Sequence, residues 1–170
     1  MMSTYYCYQK TPIGDLLLAG NGEQLELLGF PNGKMRRRHE SHWKKNSAVF
    51  KEVRKQLASY FAGELKTFEL DLSPIGTDFQ RSVWLALTEI PYGETWSYGQ
   101  LAKYIQRPKA SRAVGAANGR NPIPVIIPCH RVIGSSGKLT GFGGGLQTKE
   151  FLLCLESRVL APELDFWQNE

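Results

Sequence analysis

Cys129 and His130 are the side chains best suited to nucleophilic chemistry. They end an apolar run, Ile126-Ile127-Pro128-Cys129-His130-Arg131-Val132-Ile133. Thiolate is the reactive form of cysteine; apolar surroundings raise a thiol's pKa, whereas adjacent basic groups lower it. Both influences meet at Cys129, as a protected nucleophile requires. Something must take the thiol proton. His130 is adjacent, but neighbouring side chains on an extended strand point to opposite faces. The sequence therefore predicts relay through a water or a bent backbone over a direct dyad. A catalytic imidazole also needs an orienting acceptor. No Asp or Glu occurs from Thr95 to Lys149, which leaves Glu150 and Glu156 nearby downstream and makes Glu156 the expected partner.

The same acid-free segment carries Lys103, Arg107, Lys109, Arg112, Arg120, Arg131, Lys138 and Lys149 in a chain of net charge +5. That pattern suits contact with a polyanion, or a solvated basic face. Within it, Ala110-Ser111-Arg112-Ala113-Val114-Gly115-Ala116-Ala117-Asn118-Gly119 is nearly all small residues around one arginine. Small residues serve tight helix packing equally well, but the lone Arg112 favours a surface that enters a nucleic-acid groove. Arg36-Arg37-Arg38 reads as a solvated loop. The remaining cysteines, Cys7 and Cys154, are expected in a strand and in core packing. Three widely spaced cysteines argue against a disulfide framework. No CxxC pair exists, and His39 and His42 have no cysteine near them, so no metal and no cofactor are expected.

The elements that must position these residues follow from pattern. With 170 residues, 42% hydrophobic and 22% charged, the chain suits one domain or two small ones. No apolar stretch reaches the ~18 residues of a bilayer span, and no secretory signal is visible, so a reducing, cytoplasmic location is expected. Tyr5–Tyr8, Leu16–Ala19 and Leu25–Phe30, punctuated by glycine turns, predict short antiparallel strands. Val49, Phe50, Val53, Leu57, Tyr60 and Phe61 predict a helix from Ser47 to Phe61 with Gly63 as its stop. Phe68–Leu72 alternates like a further strand, and Ser73–Gly76 reads as a linker. Thr77-Asp78-Phe79-Gln80 and Ser97-Tyr98-Gly99-Gln100 are capping boxes. The first opens a helix with Phe79, Val83, Trp84 and Leu87 inward, ending at Pro91-Tyr92-Gly93. The second opens a short helix that turns at Gln106-Arg107-Pro108 into another from Lys109 to Asn118, a helix-turn-helix pattern. Asn121–Ile127 is expected to be extended by its prolines. Thr148 is expected to cap a last helix, Lys149 to Glu156, with a poorly ordered tail beyond.

Taken in order and spacing, Ser97–Ala102, Ala110–Gly115, Asn121–Pro124, Pro128–Val132 and Gly141-Phe142-Gly143-Gly144-Gly145 strongly resemble the O6-alkylguanine-DNA alkyltransferases, a likeness running from about Asp78 to Glu156. The resemblance implies an α+β protein. A small ribonuclease H-like sheet-plus-helix domain (1–75) would precede a winged-helix-like helix-turn-helix DNA-binding domain (76–160) and a tail (161–170). It implies repair of O6-alkylguanine, with O4-alkylthymine left open, by irreversible transfer of the alkyl group to Cys129. Binding would be in the minor groove of double-stranded DNA, by a protein monomeric off DNA and not bound to membranes. His130 then matches the base working through water, Glu156 the carboxylate orienting it, Asn121 the hinge asparagine and Tyr98 the phenol near guanine N3. Arg112 matches the finger that replaces the flipped nucleotide, and Ser111, Ala113, Gly115 and Ala116 the slim face around it. Val132, Phe142 and Gly143 would supply contacts and room for the adduct. Many relatives carry tyrosine where this chain has Phe142, and the cysteine of the animal zinc site aligns near Asn21.

Three alternatives stand beside this reading. Alkyltransferase-like damage sensors replace the acceptor cysteine, which is present here. A cysteine hydrolase would turn over, and a multifunctional adaptive-response regulator would need an added zinc module.

Overall fold

The structure, a computed structural model, describes residues 2–161. The predicted tail lies outside the described residues apart from Ala161. Three strands, β1 (Tyr5–Thr11), β2 (Gly14–Gly20) and β3 (Leu25–Gly29), form an antiparallel meander. The short β4 (Lys44–Lys45) adds parallel to β1, giving the order β3-β2-β1-β4. Leu16 and Leu18 on β2 and Cys7 on β1 point into the core. A 3₁₀ turn at Ala48–Phe50 leads into α1 (Lys51–Phe61), which buries Val53, Leu57 and Tyr60 and stops at Gly63, φ +76°.

The predicted strand at Phe68–Leu72 does not form; only Leu72 bridges to Leu25. The Gln56 side chain instead bonds both the N–H and the C=O of Glu69, at 2.9 and 3.0 Å. A side chain thus satisfies backbone groups that a ladder would otherwise use.

Both capping boxes are in place. Thr77 and Gln80 open α2 (Asp78–Leu87), and Ser97 and Gln100 open α3 (Tyr98–Tyr104). α2 closes at Leu87, short of the predicted Pro91-Tyr92-Gly93. The turn after α3 rests on Gln106 in the left-handed region, φ +59°, with Gln106 N–H bonding Lys103 C=O and Arg107 N–H bonding Ala102 C=O. This Schellman-type stop frees the chain to start α4 (Ser111–Gly119). Val114, Ala117 and Asn118 face inward, and the Trp84 indole N–H of α2 donates to Ala117 C=O at 2.8 Å.

Two-residue strands β5 (Trp96–Ser97) and β6 (Val132–Ile133) pair in parallel, and α5 (Leu146–Leu160) closes the fold. α5 is longer than predicted at both ends. Gly145, φ +93°, occupies its cap position, and the Thr148 hydroxyl donates to Gly144 C=O rather than capping an N–H. Its buried face is Lys149, Leu152 and Glu156. Cys154 falls on the outer face and is exposed, so its apolar sequence neighbours do not make it a core residue. Buried apolar residues of both halves form one continuous cluster.

Candidate active site

Asn121–Ile127, expected to be extended, is a compact turn. Ile127 N–H bonds Ile123 C=O at 2.9 Å, and Val125 sits at φ +73°. A β-branched residue in that region is strained by about 1–3 kcal/mol and persists only where its surroundings over-determine it. Asn121 does this: its Oδ1 accepts from Ile123 N–H at 3.0 Å and its Nδ2 donates to Ile127 C=O at 2.8 Å. Pro122 C=O accepts from Leu28 N–H at 2.9 Å, tying the turn to β3.

The turn delivers Cys129 into a 3₁₀ turn, Cys129–Arg131, not onto a strand. The alternation expected for an extended pair therefore does not apply, and Cys129 and His130 are both buried there. His130 Nε2 meets Glu156 Oε1 at 2.8 Å, and no protein group engages Nδ1 among the described residues. Glu156 is a hub. It also accepts from Arg131 Nε and Nη2 at 2.9–3.2 Å, from Tyr60 OH at 2.8 Å and from Gly93 N–H at 3.2 Å. Arg131, expected on the basic surface, is buried; it completes its bonds at Ile90 C=O and lies over the Tyr92 ring.

These surroundings set the charges. Burial lifts the Glu156 carboxyl, but the hydrogen bonds it accepts from His130 and Arg131, together with the Arg131 charge, outweigh it and hold its pKa at about 2. Burial pushes the Cys129 thiol up to about 11, against the lowering effects of Asn121 and Lys149. Burial lowers His130, offset in part by Glu156. At neutral pH the resting pair is thus a thiol and a neutral imidazole, which can accept a proton.

Lys149 was legible only as one base in the acid-free segment. It is fully buried, and its ammonium donates to Val132 C=O at 2.6 Å and Thr140 C=O at 3.3 Å, clamping β6 to the loop beyond. Its spacing of seven residues from Glu156 on one helix face was the available signal.

A small cleft fronts the thiol. It brings together Cys129, Asn121, Phe142 and Gly143 from the predicted set, and adds Asn118, Pro124 and, from the N-terminal half, Phe30 and Met35. His130, Val132 and Glu156 lie behind it, fully buried; Val132 contributes its carbonyl to Lys149 in place of a cleft contact. Tyr98 stands to one side, its hydroxyl 3.0 Å from Thr140 Oγ1 and its ring where a Cβ added at Gly115 would just touch it. On α4, Arg112, Ala113 and Ala116 are exposed and Ser111 and Gly115 half-buried. Ala117 serves packing against α2, whereas Ala113 and Ala116 form a thin outward ridge with Arg112 at one end.

The chain matches the family described as 6-O-methylguanine DNA methyltransferase twice: its ribonuclease-like domain over residues 4–74 and its DNA binding domain over residues 78–158. It is 57% identical to a methylated-DNA--protein-cysteine methyltransferase of Methanosarcina acetivorans, over 89% of this chain and 97% of that one. It is 52% identical to the like-named protein of Mycobacterium tuberculosis, over 89% and 92%. The crystal structure of Mycobacterium tuberculosis OGT in complex with DNA superposes with a TM-score of 0.85 at 50% identity, covering 91% of this chain and 94% of that one. The chain belongs to the 6-O-methylguanine DNA methyltransferase family.

Proposed function

We propose that this protein repairs O6-alkylguanine in duplex DNA by moving the alkyl group onto Cys129, once per molecule. The observation that carries the reading is a buried thiol at the wall of a cleft, backed by an imidazole–carboxylate pair and flanked by an exposed small-residue helix. A groove about 6 Å wide admits only a slim element, which suits the Ser111–Ala116 face. Arg112 fills the stack after the damaged nucleotide rotates out, a rotation needed because the thiol cannot reach O6 within the duplex.

The chemistry balances without a cofactor. Cys129 Sγ forms a bond to the alkyl carbon as the carbon–O6 bond breaks and its electron pair leaves with the guanine. The thiol proton passes through a water to His130 Nδ1, the ring nitrogen left over once Glu156 holds Nε2. A hydrogen bond donated by the Tyr98 hydroxyl to N3 offsets charge building on the departing base, which regains through solvent, at N1, the proton that His130 took. Asn121 holds the turn, Phe142 stacks, Gly143 leaves room, and Val132 with Lys149 fixes the backbone beyond the thiol. The products are a thioether on Cys129 and an unmodified guanine still in its DNA strand, and no group here can cleave a thioether.

The division at residues 75–76, matching the family's two parts, belongs to this reading, as does a cytoplasmic location; no helix among the described residues is long and apolar enough to cross a membrane. The test is stoichiometry. With excess O6-methylguanine duplex, repair should stop at one lesion per protein molecule. Continued turnover would point to a hydrolase, and binding without any repair to a sensor.

A further inference from the structure

The cleft in front of Cys129 is closed on one side by the other half of the chain. Phe30 and Met35 line it together with Cys129 and Phe142, and their placement is tightly built. Met35 N–H donates to Gly143 C=O at 2.9 Å. A Cβ added at Gly143 would overlap the Met35 side chain, and one at Gly144 would press on the Phe30 ring. Phe30 and Phe142 meet edge to face, with centroids 5.5 Å apart. The loop that carries Met35 is pinned at both ends, by Arg36 N–H to Gly33 C=O at 3.2 Å and Arg37 N–H to Phe30 C=O at 3.1 Å. Gly143 and Gly144 are therefore spaces into which N-terminal side chains fit.

Resting on the alkyl-transfer reading, we infer that Met35 is a specificity-determining residue: a wall, supplied by the N-terminal half, that sets how large an alkyl group the cleft beside Cys129 accepts. Its backbone is fixed, while its unbranched thioether can yield to fill or clear an irregular space. On this inference a methyl group leaves that side chain in place and a bulkier benzyl group must displace it. The N-terminal half thereby joins the substrate site instead of serving only as a support.

The experiment compares single-turnover rates on duplexes carrying O6-methylguanine or O6-benzylguanine, both measured on the same preparation so that the active fraction cancels in the ratio. Met35→Ala should raise the benzyl-to-methyl rate ratio by about tenfold, the scale of removing pocket bulk. Met35→Trp should lower the ratio, and decides the matter even where the alanine variant folds poorly. A ratio unmoved in both variants, with wild-type protein accepting both groups, overturns this inference alone. A wild-type protein that takes up neither group overturns the alkyl-transfer reading and this inference with it.

Discussion

Glu156→Gln replaces one oxygen of a fully buried carboxylate with an NH2 group and leaves the volume nearly unchanged. In the native protein Oε1 accepts from Tyr60, His130 and Arg131, and Oε2 from Arg131 and the Gly93 N–H. A carboxamide cannot accept on both sides, and it leaves the buried Arg131 guanidinium without a counter-charge. Breaking a buried pair in this way costs about 3–5 kcal/mol. An independent route gives a similar figure: holding a carboxyl at about 2 against its ordinary 4.5 is linked to about 3 kcal/mol of stability. For a chain of 170 residues, that loss lowers Tm by about 6–12 °C. Thermal and urea unfolding at neutral pH measure it directly. Because the folded pKa is depressed, this stability is present above pH 4.5 and is lost as pH falls toward about 2. The wild-type acid limb should therefore steepen in that window, and the variant's should not. Adding Arg131→Met removes the stranded charge and should recover part of the loss. A Glu156→Gln protein within about 1 kcal/mol of wild type, with an overlapping acid limb, would refute the account of Glu156 as an ionised hub.

Asn121→Ala leaves the Ile123 N–H and Ile127 C=O unpaired in a buried turn that already holds Val125 at φ +73°. It should cost about 3 kcal/mol in denaturant unfolding and slow alkyl transfer beyond what the stability loss explains. Arg112→Ala removes an exposed side chain and should leave stability unchanged. It should slow repair of duplex by about tenfold or more relative to reaction with free O6-benzylguanine, since only the duplex requires base rotation; equal losses on both substrates would remove the finger assignment.

Local signals in the sequence located the parts that depend on local physics. The two capping boxes start α2 and α3 where Thr77 and Ser97 place them, because each satisfies orphan N–H groups within its own first turn. Glu156 was reachable by elimination, since the chain offers few acids near His130. What escaped depends on long-range pairing. Gln56 bonding the backbone of Glu69 turned an alternating segment into a loop. Asn121 bonding Ile127 folded a proline-rich stretch that its own dihedral preferences would extend. Arg131 and Lys149 were misread for the same reason: cationic side chains reach the interior only where a specific acceptor awaits them. Those acceptors, Glu156 and the Val132 carbonyl, lie 25 and 17 residues away along the chain. Cys154 shows the converse, an apolar sequence setting whose helical phase turns it to solvent.

The central claim is that the Cys129 sulfur is a reagent, consumed by accepting the lesion's alkyl group. Intact-protein mass spectrometry after incubation with an O6-methylguanine duplex, followed by peptide mapping, tests it most directly. The account predicts a gain of one methyl group located on Cys129, absent in Cys129→Ser. An unchanged mass while the lesion is bound or removed, or a methyl group on any other residue, would contradict it.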